Sequence, residues 1–330
     1  MLTALHQQIR RTIRKHALIP SGSRVLVGLS GGSDSVALTF LLLDLAEHGG
    51  FSVVALAHLN HRMRPTADRD AGFCRDLAGR LGLPFIVESL DVHGYATAQR
   101  LSPEDAARRL RYDFLSRAAA DVRADRIAVG HTQDDQAETF LLKLMRGAGL
   151  TGLAGIYPQK GAVIRPVLDV SREDLRRYLE SRAEPWMDDE SNADLSNPRN
   201  RIRHRVLPEL DLAYGASTRP AIARAAALVR DDARWLDSAS ARRFDDLVVT
   251  TPDGLEIEAA VLAREPEPIQ RRVVLTALRA VAGPREVGLD HVDLTVGVLD
   301  GSASAADVPG ARVELRRGKL VLYSQGHSPK

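Results

Sequence analysis

The stretch Val25-Leu26-Val27-Gly28-Leu29-Ser30-Gly31-Gly32-Ser33-Asp34-Ser35 runs from an apolar segment of strand length straight into a polar glycine turn. A helical pattern, Ser35–Glu47, follows the turn. A Walker-type loop would need G-x-x-x-x-G-K-[ST], with a lysine on the β and γ phosphates; this turn is shorter and has none. Its two glycines let the backbone approach an anion closely, and the hydroxyls and free N–H groups of a helix N-terminus point the same way. The spacing describes a compact pyrophosphate cradle. Asp34 would repel a phosphate unless a cation lay between them, so the turn implies a nucleoside triphosphate with Mg²⁺. Simple helix capping by Ser33 or Asp34 is the structural alternative; it leaves the serines on both sides of the glycines without a purpose.

Further apolar runs of strand length recur at Ser52–Asn60, Phe85–Leu90, Arg126–His131 and Val163–Val167, with helical patterns at Asp68–Leu81, Glu104–Ala120 and Asp135–Arg146 between them. Such alternation predicts an α/β fold with a parallel sheet and helices on both faces. Ligands of open parallel sheets sit beyond the carboxyl ends of the strands. The polar segments Ser30–Ser33, His58-Leu59-Asn60-His61-Arg62 and Gly130-His131-Thr132-Gln133-Asp134-Asp135 all fall there. After about Tyr214 the alternation stops. Residues 1–213 are expected to form the nucleotide-binding domain and 214–330 a smaller, mainly helical domain ending in a β-hairpin around Arg317-Gly318.

Composition sets bounds on function. The chain has 330 residues, 44% hydrophobic and 27% charged, as in folded globular proteins. No apolar run approaches the roughly 20 residues of a membrane span. The N-terminus, with Arg10, Arg11 and Arg14, lacks the pattern of a signal peptide, so a cytoplasmic protein is expected. One cysteine, Cys74, precludes an intrachain disulfide or a site built from cysteines alone. His58 and His61 have no further assignable ligand, so a histidine metal site is not expected. A net charge of +2 decides nothing about nucleic acid, but the run Asn197-Pro198-Arg199-Asn200-Arg201-Ile202-Arg203-His204-Arg205 concentrates arginine, the side chain best shaped for phosphate.

Ser30-Gly31-Gly32-Ser33-Asp34-Ser35 resembles the SGGxDS signature of the PP-loop ATP pyrophosphatases, of the adenine nucleotide alpha hydrolase-like fold, which adenylate a carbonyl-type oxygen and release pyrophosphate. Cleavage at the α-phosphate explains a loop without a lysine for the γ-phosphate. Four more stretches, His58 to Arg64, Glu104 to Tyr112, Gly130 to Thr139, and Asp189-Glu190-Ser191-Asn192 through Arg203, together resemble the tRNA(Ile)-lysidine synthetase family, in its short form without a last C-terminal domain. Thr132 departs from the pattern, in which a second histidine is common.

The resemblance implies ATP-dependent attachment of L-lysine to C2 of the wobble cytidine in the CAU anticodon of isoleucine tRNA, through an adenylated intermediate. It implies ATP contacts from Ser30, Gly31, Gly32, Ser33, Asp34, Ser35 and His131, and Mg²⁺ on Asp34 and Asp135. It also implies catalytic roles for Asp34, Arg108, Asp135 and Glu138, a lysine site at Asp134 and Glu138, and tRNA contacts from Arg111, Arg201 and Arg203. A solvated basic helix face is the structural alternative for Arg108 and Arg111, as is a cap for Asp134. A tRNA 2-thiolation enzyme of the same superfamily and a non-catalytic ATP-binding sensor are the competing functions. A homodimer is left open.

Overall fold

The computed structural model describes residues 3–60, 67–187, 194–283, 285 and 287–324. His61, Arg62, Met63 and Arg64, and Asp189, Glu190, Ser191 and Asn192, lie outside the described residues. The chain divides into two compact units, Met1–Arg230 and Asp231–Lys330.

In the first unit, strands β1 (Arg24–Gly28), β2 (Ser52–Asn60), β3 (Phe85–Ser89), β4 (Arg126–Ala128), β5 (Gln159–Lys160) and β6 (Val163–Ile164) form one sheet in the order β3-β2-β1-β4-β6-β5. All neighbours are parallel except the short edge pair β5–β6. The helices are α1 (Ala4–Lys15), α2 (Ser33–Gly49), α3 (Ala67–Arg80), α4 (Val92–Gln99), α5 (Pro103–Asp121), α6 (Gln133–Leu144), α7 (Leu150–Leu153) and α8 (Arg172–Ser181). Helix α9 (Pro198–Arg201) passes through one π-helical segment, Ile202–Val206, into α10 (Leu207–Tyr214).

Strand β1 is buried on both faces, which is why Val25, Leu26 and Val27 are all apolar instead of alternating with polar residues. Val25, Val27 and Leu29 pack with Val36, Leu38, Leu41 and Leu42 of α2. Leu26 turns to the other face, with Phe114, Leu115 and Ala118 of α5. The predicted parallel sheet with helices on both faces is therefore observed. Strand order reverses between β1 and β4, so the crevice outside their carboxyl ends is the topological switch point where such sheets bind ligands. The two loops leaving these strands meet tightly: a Cβ on Gly130 would lie 3.0 Å from the carbonyl carbon of Asp34 and 3.1 Å from the Ser35 nitrogen. Any side chain at residue 130 would push the facing backbone away by a few tenths of an ångström.

The helix α11 (Thr218–Leu247) contains the division between the units, which falls later than the expected boundary at residues 213 and 214. Gly215 ends α10 but not the domain, because Arg219 and Arg230 bind groups of the first unit, the Asp134 carboxylate and the Ile156 carbonyl.

The second unit carries more strand than expected. Its sheet, in the order β7-β8-β11-β10-β9, comprises β7 (Val248–Thr251), β8 (Gly254–Glu258), β9 (Ala305–Val308), β10 (Ala311–Arg316) and β11 (Lys319–Ser324), all antiparallel. Helices α12 (Ala259–Leu262), α13 (Glu267–Ala282) and α14 (Leu289–Leu299) share an apolar core with it. The expected terminal hairpin is β10–β11, and Arg317 and Gly318 both take the positive φ that a tight hairpin turn requires. Among the described residues no helix is long and apolar enough to cross a membrane.

Candidate active site

The glycine turn is built as its sequence demands. Gly31 has φ +90°, a conformation that side-chain-bearing residues rarely adopt, and Gly32 caps α2 in an extended conformation. The Ser35 hydroxyl donates to the Gly32 carbonyl at 3.0 Å and accepts from the Ser30 backbone N–H at 3.1 Å, closing the turn on itself. The Met187 N–H donates to the Gly31 carbonyl at 2.9 Å and braces it from outside. Asp34 stands on the first turn of α2, where its charge also favours the helix dipole.

Across the switch point, α6 presents the second half of the site. Thr132 is its N-cap: the hydroxyl approaches the Asp135 N–H at 3.4 Å, while Asp135 Oδ2 accepts from the Thr132 N–H at 2.8 Å and from its hydroxyl at 3.0 Å. This reciprocal capping box gives Thr132 a structural role at the position where the resemblance leaves its side chain unassigned. Thr132→Val is expected to cost about 1 kcal/mol in urea unfolding, since the cap is lost while the shape is kept.

Four carboxylates from α2 and α6 face four arginines. Arg172 Nε donates to Asp34 Oδ2 at 2.9 Å and its Nη2 to Asp135 Oδ1 at 3.2 Å, with Nη1 at 3.7 Å from Glu138. Glu138, with no exposed surface, accepts from Arg199 Nε at 2.8 Å and from Arg203 Nε at 2.6 Å. Asp134 accepts from the Arg172 backbone N–H and from Arg219 Nη1, both at 2.8 Å. Both Asp134 oxygens are thus engaged in holding α8 and α11, so a lysine contact there requires one of these bonds to open.

The electrostatics separate two of the acids. Burial raises the Asp34 carboxyl above its usual range, and the nearby Asp135 charge adds to the rise while Arg172 opposes it. Burial would raise Asp135 too, but the Arg172 and Arg199 guanidiniums overcome it and hold this carboxyl well below the usual range. Arg172 lies between two carboxylates that one cation can reach together. Oxygen donors of this kind suit a hard divalent ion. Among the described residues no group of three or more His, Cys, Asp or Glu gathers for a metal, so phosphate oxygens and water would have to complete the shell, as Mg²⁺ ordinarily requires.

His131 follows β4 and accepts at Nδ1 from Arg165 Nε at 3.2 Å. Arg108 and Arg111 are exposed on α5; Arg108 lies over the Tyr112 ring at 5.3 Å, and Arg111 is near enough to His131 to depress its basicity. Arg201 is exposed. Arg203, expected on the RNA-facing side of the basic run, instead points inward at Glu138, because that buried carboxylate must be neutralised. His58 Nδ1–H donates to the Leu29 carbonyl, 2.9 Å away, and the ring lies beside buried Cys74. Arg172, Arg165 and Arg219 escaped the sequence reading, and Arg199 entered it only as part of the basic run, without a role of its own. Only Arg199 carried a signal, its four-residue spacing from Arg203 after the helix-starting Pro198.

A PP-loop domain matches residues 1–210, which places the chain among PP-loop proteins as a class. Curated relatives from several bacteria carry the name tRNA(Ile)-lysidine synthase. That from Geobacter sulfurreducens is 38% identical, over 97% of this chain and 68% of its own length; that from Chlorobaculum tepidum is 34% identical, over 92% and 91%. The Nostoc sp. relative is 30% identical over 98% of both chains. The chain belongs to the tRNA(Ile)-lysidine synthase family. Among solved structures, the U34-tRNA thiolase NcsA of Methanococcus maripaludis, with its [4Fe-4S] cluster, superposes with a TM-score of 0.56 at 17% identity, over 69% of this chain and 78% of that one. At that identity the likeness concerns the fold.

Proposed function

We propose that the protein uses ATP to adenylate the C2 oxygen of the wobble cytidine in the CAU anticodon of isoleucine tRNA, then joins the ε-amine of L-lysine to that carbon. AMP and pyrophosphate are the products. One observation carries the reading: the glycine turn after β1 and the acidic first turn of α6 after β4 converge at the switch point, with Arg172 touching both Asp34 and Asp135.

In the first step the C2 oxygen attacks the α-phosphate and the bond to pyrophosphate breaks. The backbone N–H groups of Gly31 to Ser33 and the Ser30 and Ser33 hydroxyls receive the leaving group at a helix N-terminus. Asp34 and Asp135 would hold Mg²⁺, which when bound supplies positive charge to the phosphates. Arg108 stands on the α5 face for the remaining phosphate charge, and Arg111, on the same helix, for the tRNA backbone. In the second step the ammonium of lysine binds against Glu138, aided by Asp134, and must give up a proton before its nitrogen attacks C2 and expels AMP. Arg201 positions the tRNA backbone by contact with phosphate. The protein acts in the cytoplasm, and a homodimer is one assembly open to it.

The thiolation alternative in its cysteine-dependent forms lacks the thiols: Cys74 is the single cysteine, and burial pushes its thiol up to about 12. A sensor that keeps ATP intact is separated by following α-labelled ATP. AMP formation that requires the tRNA is expected; unchanged ATP in the presence of tRNA and lysine would favour the sensor.

A further inference from the structure

We infer that Arg165 is a positioning residue that fixes His131 as the Nε2–H tautomer and polarises it, so that Nε2 donates to an anionic oxygen of the bound nucleotide. The inference rests on the proposed function for the identity of that anion.

Arg165, at the end of the β6 segment, is 3% exposed. Its three hydrogen bonds go to neutral acceptors: Nη1 donates to the Tyr157 carbonyl at 2.7 Å, Nη2 to the Tyr112 hydroxyl at 3.3 Å, and Nε to His131 Nδ1 at 3.2 Å. No carboxylate pairs with it among the described residues. A buried guanidinium without a counter-charge is costly, and an anion nearby relieves the cost. The same guanidinium cannot lose its proton. Nδ1 of His131 must therefore be the acceptor, which leaves the ring proton on Nε2. No hydrogen bond is found for Nε2 among the described residues.

Both histidine nitrogens cannot carry protons here without facing that charge. Burial, with the Arg165, Arg199 and Arg111 charges, pushes the imidazole down to about 3 against the opposing attraction of Asp135. His131 is thus a neutral donor, in line with a binding role and not with proton transfer. Among the described residues, Arg165 reaches the site through this ring and through Tyr112, whose ring lies under Arg108. Its charge reaches the nucleotide by polarising the Nε2–H bond.

The test is nitrogen-15 NMR of histidine-labelled full-length protein without ligands, with His131 assigned by the signal missing in His131→Gln. An Nε2–H tautomer between pH 6 and 8 is expected, and its loss in Arg165→Met. An Nδ1–H or doubly protonated ring in the parent would overturn the inference. Should Arg165→Met fail to fold, a second pair decides. The amide of His131→Gln places its N–H near Nε2, whereas that of His131→Asn places it near Nδ1. His131→Gln is expected to keep most of the tRNA-dependent AMP formation, and His131→Asn to lose on the order of a hundredfold, the usual cost of one donor to developing charge. Asn retaining more than Gln would contradict it. If the parent formed no AMP at all, the proposed function would fail while the tautomer measurement on the free protein still stood.

Discussion

Asp34→Asn is expected to lower tRNA-dependent adenylation by a hundredfold to a thousandfold, the range for removing one electrostatic contributor to a charged transition state. It is also expected to leave the fold at least as stable as the parent. A carboxyl raised in the folded state binds its proton more tightly there than in the unfolded chain. Its ionisation therefore opposes folding, and stability is lost as pH rises through the carboxylate range. A neutral Asn removes that opposition, while Arg172 keeps Asp135 and Glu138 as partners. Filter binding of the tRNA should be little changed. A variant that melts well below the parent, or loses tRNA affinity as steeply as adenylation, would show that Asp34 holds the structure and not the reacting phosphates.

Glu138→Gln is expected to behave in the opposite way. This carboxylate has no exposed surface, and Arg199 and Arg203 converge on it from the segment that includes the π-helical turn. Neutralising it leaves two guanidiniums, at 25% and 18% side-chain exposure, sharing Asp135. Removing one partner of a buried pair costs about 3 kcal/mol, seen as a lower urea midpoint at unchanged slope. Among molecules that remain folded, transfer of lysine should slow by more than tenfold while adenylation slows less, as the proposed place of Glu138 in the lysine site requires. Equal slowing of both steps would remove Glu138 from the lysine site.

How much of this was legible in the sequence depended on how local the signal was. The turn at Ser30–Ser35 and the first turn of α6 were readable because backbone conformation, capping and charge at a strand end constrain a few adjacent residues. Strand β1 was readable because burial on both faces forces the continuous apolar run Val25-Leu26-Val27, whereas the half-exposed β3 was marked by its length and by the helical patterns on either side of it. Arg172 was not readable, because it lies 138 positions from Asp34 and its own neighbours, Ser171 and Asp174, announce only a capped helix. Arg203 was seen but its bond to Glu138 was not: a basic run ordinarily faces water, and the burial of Glu138 cannot be read from its spacing. In the second unit the β7–β8 hairpin was missed, because its short strands follow a thirty-residue helix, although Pro252-Asp253-Gly254 after Val248-Val249-Thr250-Thr251 carries turn residues.

The central claim is that one site first activates the wobble cytidine and then receives lysine. Its most direct test is incorporation of radiolabelled lysine into an unmodified isoleucine tRNA transcript with a CAU anticodon, with ATP and Mg²⁺, beside a methionine tRNA transcript. Label that survives on the isoleucine transcript and is absent from the methionine transcript is the predicted result. Absence of label on both, with tRNA-dependent pyrophosphate release intact, would contradict it and assign the second step to another nucleophile.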